Sequence, residues 1–194
     1  MKFTNYNSEE CQIIKEVFQT MPMMEANLAH IVEEYLYSTV RQYYPNGNLK
    51  VEYQIKGKTK NGSYKAWWEN GQIFKDCHFK NGVKHGFYQE WFSNGQKACE
   101  CFFNNGQHNG EYKLWYKSGQ IFSESNYANN VLDGLYQCWF SNGQKELKYL
   151  TNNGKIDGLY QSWKYNGEPE LECTYINGVK IKNGFIGFFQ KLFI

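Results

Sequence analysis

Four side chains near the middle of the sequence are of the types that hold a metal: Cys77, His78, Cys99 and Cys101. Thiolate and imidazole are ordinary zinc ligands, with sulfur held at about 2.3 Å. Their spacing argues against a site. Cys77 and His78 are adjacent in a strand-like run, where neighbouring side chains point to opposite faces. Cys77 and Cys101 lie one sequence period apart, which places them two strand spacings, about 9.6 Å, from each other. A disulfide fares no better, because Cys99 and Cys101 would sit about 6.6 Å apart on one strand face, at the strained limit. No metal and no cofactor are expected, and the thiols read as reduced. Two histidines, His85 and His108, have the side chain suited to acid–base work near neutral pH. His85 shares its place in the period with Asn61, Asn109, Asp133 and Asp157, residues that hydrogen-bond local backbone in turns. Both histidines are therefore expected in loops with a structural role. No nucleophile elbow, phosphate loop, H-E-x-x-H or dinucleotide fingerprint is present, so no catalytic residue and no enzyme are expected.

Those places exist because the sequence repeats every 24 residues. An opening glycine recurs at Gly62, Gly86, Gly110, Gly134 and Gly158. Two residues later come Tyr64, Tyr88, Tyr112, Tyr136 and Tyr160, and three further on Trp67, Trp91, Trp115, Trp139 and Trp163. A turn glycine follows at Gly71, Gly95, Gly119, Gly143 and Gly167, and already stands at Gly47. A fixed period of this length marks a stacked array in which each unit packs on its neighbours.

Each unit reads as strand, tight turn, strand, looser turn. Asn-Gly at Asn46, Asn70, Asn94, Asn142 and Asn166, with Ser118-Gly119 as the variant, predicts two-residue type I′ hairpins with both residues at positive φ. The second turn, as in Asn81–Gly86, reads as a longer loop. On the second strand, the column of Lys75, Cys77 and Phe79 alternates with an outward acidic column of Glu52, Asp76, Glu100, Glu124 and Glu172, broken by Lys148. Arg41, Lys65, Gln89, Lys113, Gln137 and Gln161 oppose that acidic column from the first strand. A Tyr-x-x-Trp spacing puts its two rings on opposite faces of a straight strand, so either both faces are aromatic or a bulge intervenes.

Before the repeats, residues 8–21 predict a helix, with Ser8 as N-cap and Ile13, Ile14, Val17, Phe18 and Met21 on one stripe. Pro22 ends it, and a second helix is expected from about Met24 to Tyr37. Residues 1–37 hold six Glu against Lys2 and Lys15, a net of −4, which leaves +6 for the rest of a chain whose formal charge is +2. That balance is too small to argue for nucleic acid. No run approaches the length of a membrane span and the polar N-terminus does not read as a secretory signal, so an intracellular, cytoplasmic protein is expected.

The unit G-x-Y-x-x-W-(F/Y)-x-(N/S)-G-Q, followed by an apolar strand and N-G-x-x-(D/N/H)-G, resembles the MORN repeat, and most closely the variant in YwqK-type antitoxins and in repeat proteins of large DNA viruses. The resemblance covers residues 38–187 as six repeats, the last extended by two residues around Ile181–Asn183. It implies a mainly β fold: an elongated open antiparallel sheet of stacked hairpins. Residues 1–37 form its expected helical cap, with a weaker likeness to an F-box, and residues 188–194 an apolar strand or tail. The resemblance implies a non-catalytic scaffold for an unidentified protein partner. The alternatives are weak, salt-sensitive association with anionic lipid, or antitoxin-like neutralisation of a partner. The apolar C-terminal edge is expected to be covered, by the tail folding back or by the same edge of a second chain in a homodimer.

Overall fold

The computed structural model describes residues 36–181. Fourteen strands in this range form an antiparallel sheet in chain order. The chain divides into two compact units, Met1–Gly86 and Phe87–Ile194. The first contains β1 (Tyr37–Tyr43), β2 (Leu49–Lys56), β3 (Thr59–Trp67), β4 (Ile73–Lys80) and the start of β5 (Val83–Trp91). The second contains the rest of β5, then β6 (Lys97–Asn104), β7 (Gln107–Trp115) and β8 (Ile121–Ala128). It continues with β9 (Val131–Leu132), β10 (Gly134–Trp139), β11 (Lys145–Asn152), β12 (Lys155–Trp163), β13 (Pro169–Ile176) and β14 (Val179–Ile181). The short β9 pairs only with β8, beside which β10 takes the main path.

The N-terminal expectation is corrected where it can be seen. Tyr37 does not end a helix: it opens β1 and is the register partner of Lys56, in a run whose β-branched Thr39 and Val40 suit a strand. The remainder of the helical cap, and the tail beyond Ile181, lie outside the described residues.

The two turns of the repeat exchange the roles read from sequence. Asn70, Asn94 and Asn142 are not at positive φ; Asn81, Asn105, Asn129, Asn153 and Asn177 are, at 47° to 51°. Each of these five precedes a second residue at positive φ, for instance Gly82 at 83° and Asn130 at 67°. These are the two-residue type I′ hairpins, and they sit where the longer loop was expected. The other turn is a three-residue loop such as Glu69-Asn70-Gly71. There Trp68 N–H donates to the Gln72 carbonyl at 2.8 Å, Gly71 N–H donates to the Trp68 carbonyl at 2.9 Å, and Gly71 alone has positive φ, at 86°. The asparagine chooses this form locally, because its Oδ1 accepts the N–H two residues on, at 3.1 Å for Asn70 and 3.0 Å for Asn142.

Two register shifts recur in each repeat. Around the opening glycine, the three residues 61–63 oppose the single residue 54, and the same bulge surrounds Gly110 and Gly158. Just before Trp67, Trp115, Trp139 and Trp163 the extra residue lies on the following strand, as Phe74 does between Ala66↔Lys75 and Trp67↔Ile73. The bulge therefore falls between Tyr and Trp without bringing them to one face.

One face is the packed one. Val51, Ala66 and Cys77 are buried on it in the first unit; Tyr88, Cys99, Cys101, Phe103, Ser123, Ser125, Cys138, Thr151 and Cys173 are buried on it in the second. The smallest of these fit beneath aromatic neighbours on the adjoining strands, which is how Cys77 and Cys173 reach 2% and 1% exposure.

Candidate functional site

The tyrosine column lies on the packed face. In the first unit, Tyr53 and Tyr64 are register partners on β2 and β3 with ring centroids 5.8 Å apart, and Tyr64 meets Phe79 at 5.6 Å. Lys60 places its ammonium over all three rings, at 5.0, 4.7 and 5.2 Å from Tyr53, Tyr64 and Phe79. In the second unit Tyr88 meets Phe103 at 5.4 Å and Tyr112 meets Tyr127 at 5.6 Å. Tyr136, Tyr149 and Tyr160 stack in line at 4.8 and 5.8 Å, and Tyr160 meets Tyr175 at 5.8 Å.

This environment quiets the titratable groups it holds. Burial pushes the Cys77 thiol up to about 11. Burial, and then the Glu146 carboxylate, does the same for Cys138, to about 11. Tyr136 rises to about 12, chiefly through burial, and Tyr112 rises for the same reason. Thiols so raised are protonated at neutral pH and are poor nucleophiles.

The histidines are placed differently from the expectation. His85 lies within β5 and His108 within β7, not in loops. The His108 ring packs against Phe103 at 4.2 Å, Tyr112 at 5.1 Å and Tyr127 at 5.7 Å, a small flat ring filling the place that Lys60 fills in the first unit. The column that His85 shares does have a structural role. Asn61 and Asn109 donate to Asn81 and Asn129 at 3.2 and 3.4 Å, while Asp133 and Asp157 accept from Asn153 N–H and Asn177 N–H at 3.3 and 3.4 Å. Each ties its own repeat to the type I′ turn of the next.

The tryptophans lie on the other face, beside the charged columns. Arg41 pairs with Glu52 at 2.5 Å and Lys65 with Asp76 at 3.4 Å in the first unit. In the second, Gln89, Gln137 and Gln161 donate to Glu100, Glu124 and Glu172 at 2.7 to 2.9 Å. Hydrogen bonds from Lys97 and then Gln89 hold the Glu100 carboxyl below its usual range. Lys97 and Lys145 also lie over Trp115 and Trp139, at 5.5 and 5.6 Å. Trp67, Trp91, Trp115, Trp139 and Trp163 are all half-buried. Exposed large apolar side chains on this face include Phe87, Leu150, Leu159 and Ile176, at 69%, 47%, 43% and 53%.

The three-residue turns carry a contact that the sequence reading missed. Asn94 and Asn142 each donate Nδ2 to a backbone carbonyl 23 residues on, Lys117 and Tyr165, at 2.8 Å. The glutamine two residues on also reaches forward: a Cβ on Gly119 or Gly167 would fall 2.7 or 2.8 Å from Gln96 or Gln144. The signal was available, since Asn-Gly-Gln recurs more strictly than a turn requires. Lys60 was missed as well, although a lysine between aromatic columns was legible.

Among the described residues no three of His, Cys, Asp and Glu converge as a metal site, and no helix is long and apolar enough to cross a membrane. The Cys77–His78 pair divides as expected, with Cys77 buried and His78 exposed on the opposite face. The curated proteins contain no match to the chain. The family described as MORN repeat variant matches residues 36–56, 60–81 and 109–129. Those three segments are β1–β2, β3–β4 and β7–β8 with their three-residue turns, and the copies between and after them repeat the same glycines, rings and hairpin geometry. The chain is a MORN-repeat protein of the variant type.

Proposed function

We propose that this chain is a non-catalytic scaffold that binds a partner protein through its charged, tryptophan-bearing face. The observation that carries the reading is the side-chain row on that face of the second unit. Gln89, Glu100, Lys113, Glu124, Gln137, Lys148, Gln161 and Glu172 follow one another strand by strand, and Leu150 and Leu159 stand exposed beside them. Polar groups at one strand spacing fix register, and exposed leucines among them supply area to bury, the division of labour found in protein interfaces. Among the described residues, the packed face carries no comparable row of alternating charged and amide side chains.

Association with anionic lipid is the alternative, supported by the +6 balance outside residues 1–37. The acidic residues along the proposed face oppose it, since they would meet a negative surface. Neutralisation of a toxin would be the same scaffold with a single tight partner. A second copy through the C-terminal edge is a further partner that size measurement tests.

The deciding experiment compares the wild type with Leu150→Asp/Leu159→Asp as bait in an extract of the source cell, with phosphatidylserine vesicles in a parallel arm. The expected result is a protein retained by the wild type and lost by the double variant, with equal folding. Vesicle binding that is insensitive to the double variant, with no protein retained, would overturn the reading.

A further inference from the structure

The place that Lys60 occupies is repeated along the chain, and its occupants differ. In the first unit the column holds Lys60, set among Tyr53, Tyr64 and Phe79. In the third repeat it holds His108, ringed by Phe103, Tyr112 and Tyr127. In the fourth it holds Leu132, where Ser125 and Thr151 replace two of the rings. In the fifth it holds Ile156, yet there the three rings return as Tyr149, Tyr160 and Tyr175.

The fifth ring set reproduces the first in register and in geometry. Tyr53↔Tyr64, Gly62↔Phe79 and Ile55↔Lys60 in the first unit correspond to Tyr149↔Tyr160, Gly158↔Tyr175 and Thr151↔Ile156 in the second. Tyr53 and Tyr64 stack at 5.8 Å and 23°, and Tyr64 meets Phe79 at 5.6 Å and 57°. Tyr149 and Tyr160 stack at 5.8 Å and 14°, and Tyr160 meets Tyr175 at 5.8 Å and 54°. The first set holds an ammonium over all three rings. In the fifth, isoleucine ends short of where the lysine's terminal carbon and nitrogen lie, and among the described residues no lysine or arginine lies over the three tyrosines.

Charge separates the two sets further. Lys75 acts on Tyr64 in the first unit, whereas the charged group acting on Tyr160 is the Glu170 carboxylate. Aromatic faces attract cations through their quadrupole, and a nearby carboxylate adds to that attraction.

We propose that Tyr149, Tyr160 and Tyr175 form a cation site that receives the lysine ammonium of a partner protein, in the place where the first repeat holds its own Lys60. The scaffold reading enters only as the source of that lysine; the site itself is tested with a small probe.

The probe is n-butylammonium, the lysine side chain without its backbone, titrated into the full chain while ring proton shifts are followed by NMR. Saturable shifts are expected at Tyr149, Tyr160 and Tyr175, and none with the neutral n-butanol. Ile156→Lys should abolish them by filling the site from within, and Lys60→Ile should open a second response at Tyr53, Tyr64 and Phe79. Tyr175→Thr is the independent variant, since Thr151 already occupies that column, and it should weaken the response severalfold. No saturable shift in the wild type, an equal response to n-butanol, or shifts that survive Ile156→Lys would each overturn the site. Phosphatidylcholine vesicles that bind the wild type but not Tyr175→Thr would overturn the lysine in favour of a lipid headgroup. A chain that binds the probe at these rings but retains no protein keeps the site and loses the scaffold reading.

Discussion

Asn94 reaches across one whole repeat: its Nδ2 donates to the carbonyl of Lys117 at 2.8 Å while its Oδ1 accepts Gln96 N–H at 3.2 Å. One side chain thus closes its own turn and fastens the next. The following turn carries Ser118, whose hydroxyl goes instead to Gln120 at 3.4 Å, and the link to the succeeding repeat is left to Tyr116, which donates to the Trp139 carbonyl at 2.8 Å.

Asn94→Ala should therefore cost about 1 kcal/mol, the usual net worth of hydrogen bonds in partly exposed positions. Ser118→Asn should stabilise, by roughly 0.5–1 kcal/mol, because it restores a donor in a turn already shaped for it. Urea unfolding of the two variants checks both signs. A Ser118→Asn protein no more stable than its parent would refute the ladder.

The exchanged turns make a sharper test. Asn105, at φ 47°, should be intolerant of Val, at a cost of about 1–3 kcal/mol, because a β-branched residue is strained there. Asn94 is not at positive φ, so Asn94→Val should cost only its lost hydrogen bonds, close to Asn94→Ala. Gly95, at φ 85°, should again resist Val. If Asn94→Val and Asn105→Val melt alike, the turn assignment is wrong.

These turns also show where the sequence stopped being legible. The strand columns, the acidic row and its basic and amide partners could be read directly, because period 2 assigns a face to every residue once the period of 24 is known. Both hairpin ends read Asn-Gly, and the dipeptide alone does not distinguish a type I′ turn from a three-residue loop. The difference lies in the asparagine side chain, whose Oδ1 accepts the N–H two residues on in the three-residue loop, a bond that the dipeptide does not reveal. His108 was misplaced for a related reason. Its column holds Lys60, Leu132 and Ile156 in other repeats, so the column is defined by the rings around it and not by its own chemistry.

The packed face predicts an alkaline limit to stability. Cys77 and Cys138 have folded pKa values raised from 9.0 to about 11, and Tyr136 from 10.0 to about 12. Each group is neutral when protonated, and the fold favours that form. Their contribution is fully present below the unfolded values and is lost as pH rises through the folded ones. Stability should fall between pH 9 and 11 for the thiols and between 10 and 12 for Tyr136. Cys138→Ala should flatten the first part of that decline in urea titrations at fixed pH. Alkylation by iodoacetamide at pH 8 should be slow in the folded protein and fast in urea. Rapid alkylation of native Cys77 at pH 8 would contradict its burial.

The charged row predicts that position, not charge, decides the effect of a lysine. Lys113 lies between Glu100 and Glu124 in register, and a carboxylate held by Glu111 at 2.9 Å adds to the negative surroundings. Lys148 lies in the same row, between Gln137 and Gln161. Lys113→Glu would set like charges directly opposite each other on two sides, which destabilises a sheet by roughly 0.2–1 kcal/mol a pair. Lys148→Glu meets only amides, which can donate to a carboxylate as Gln137 and Gln161 already do to Glu124 and Glu172. The first variant should therefore lose about 1 kcal/mol at low salt and recover part of it at high salt, as screened surface charges do, while the second should melt within a few tenths of a kcal/mol of the parent. Equal losses from both would mean that the row is solvated and that its register does not set its energetics.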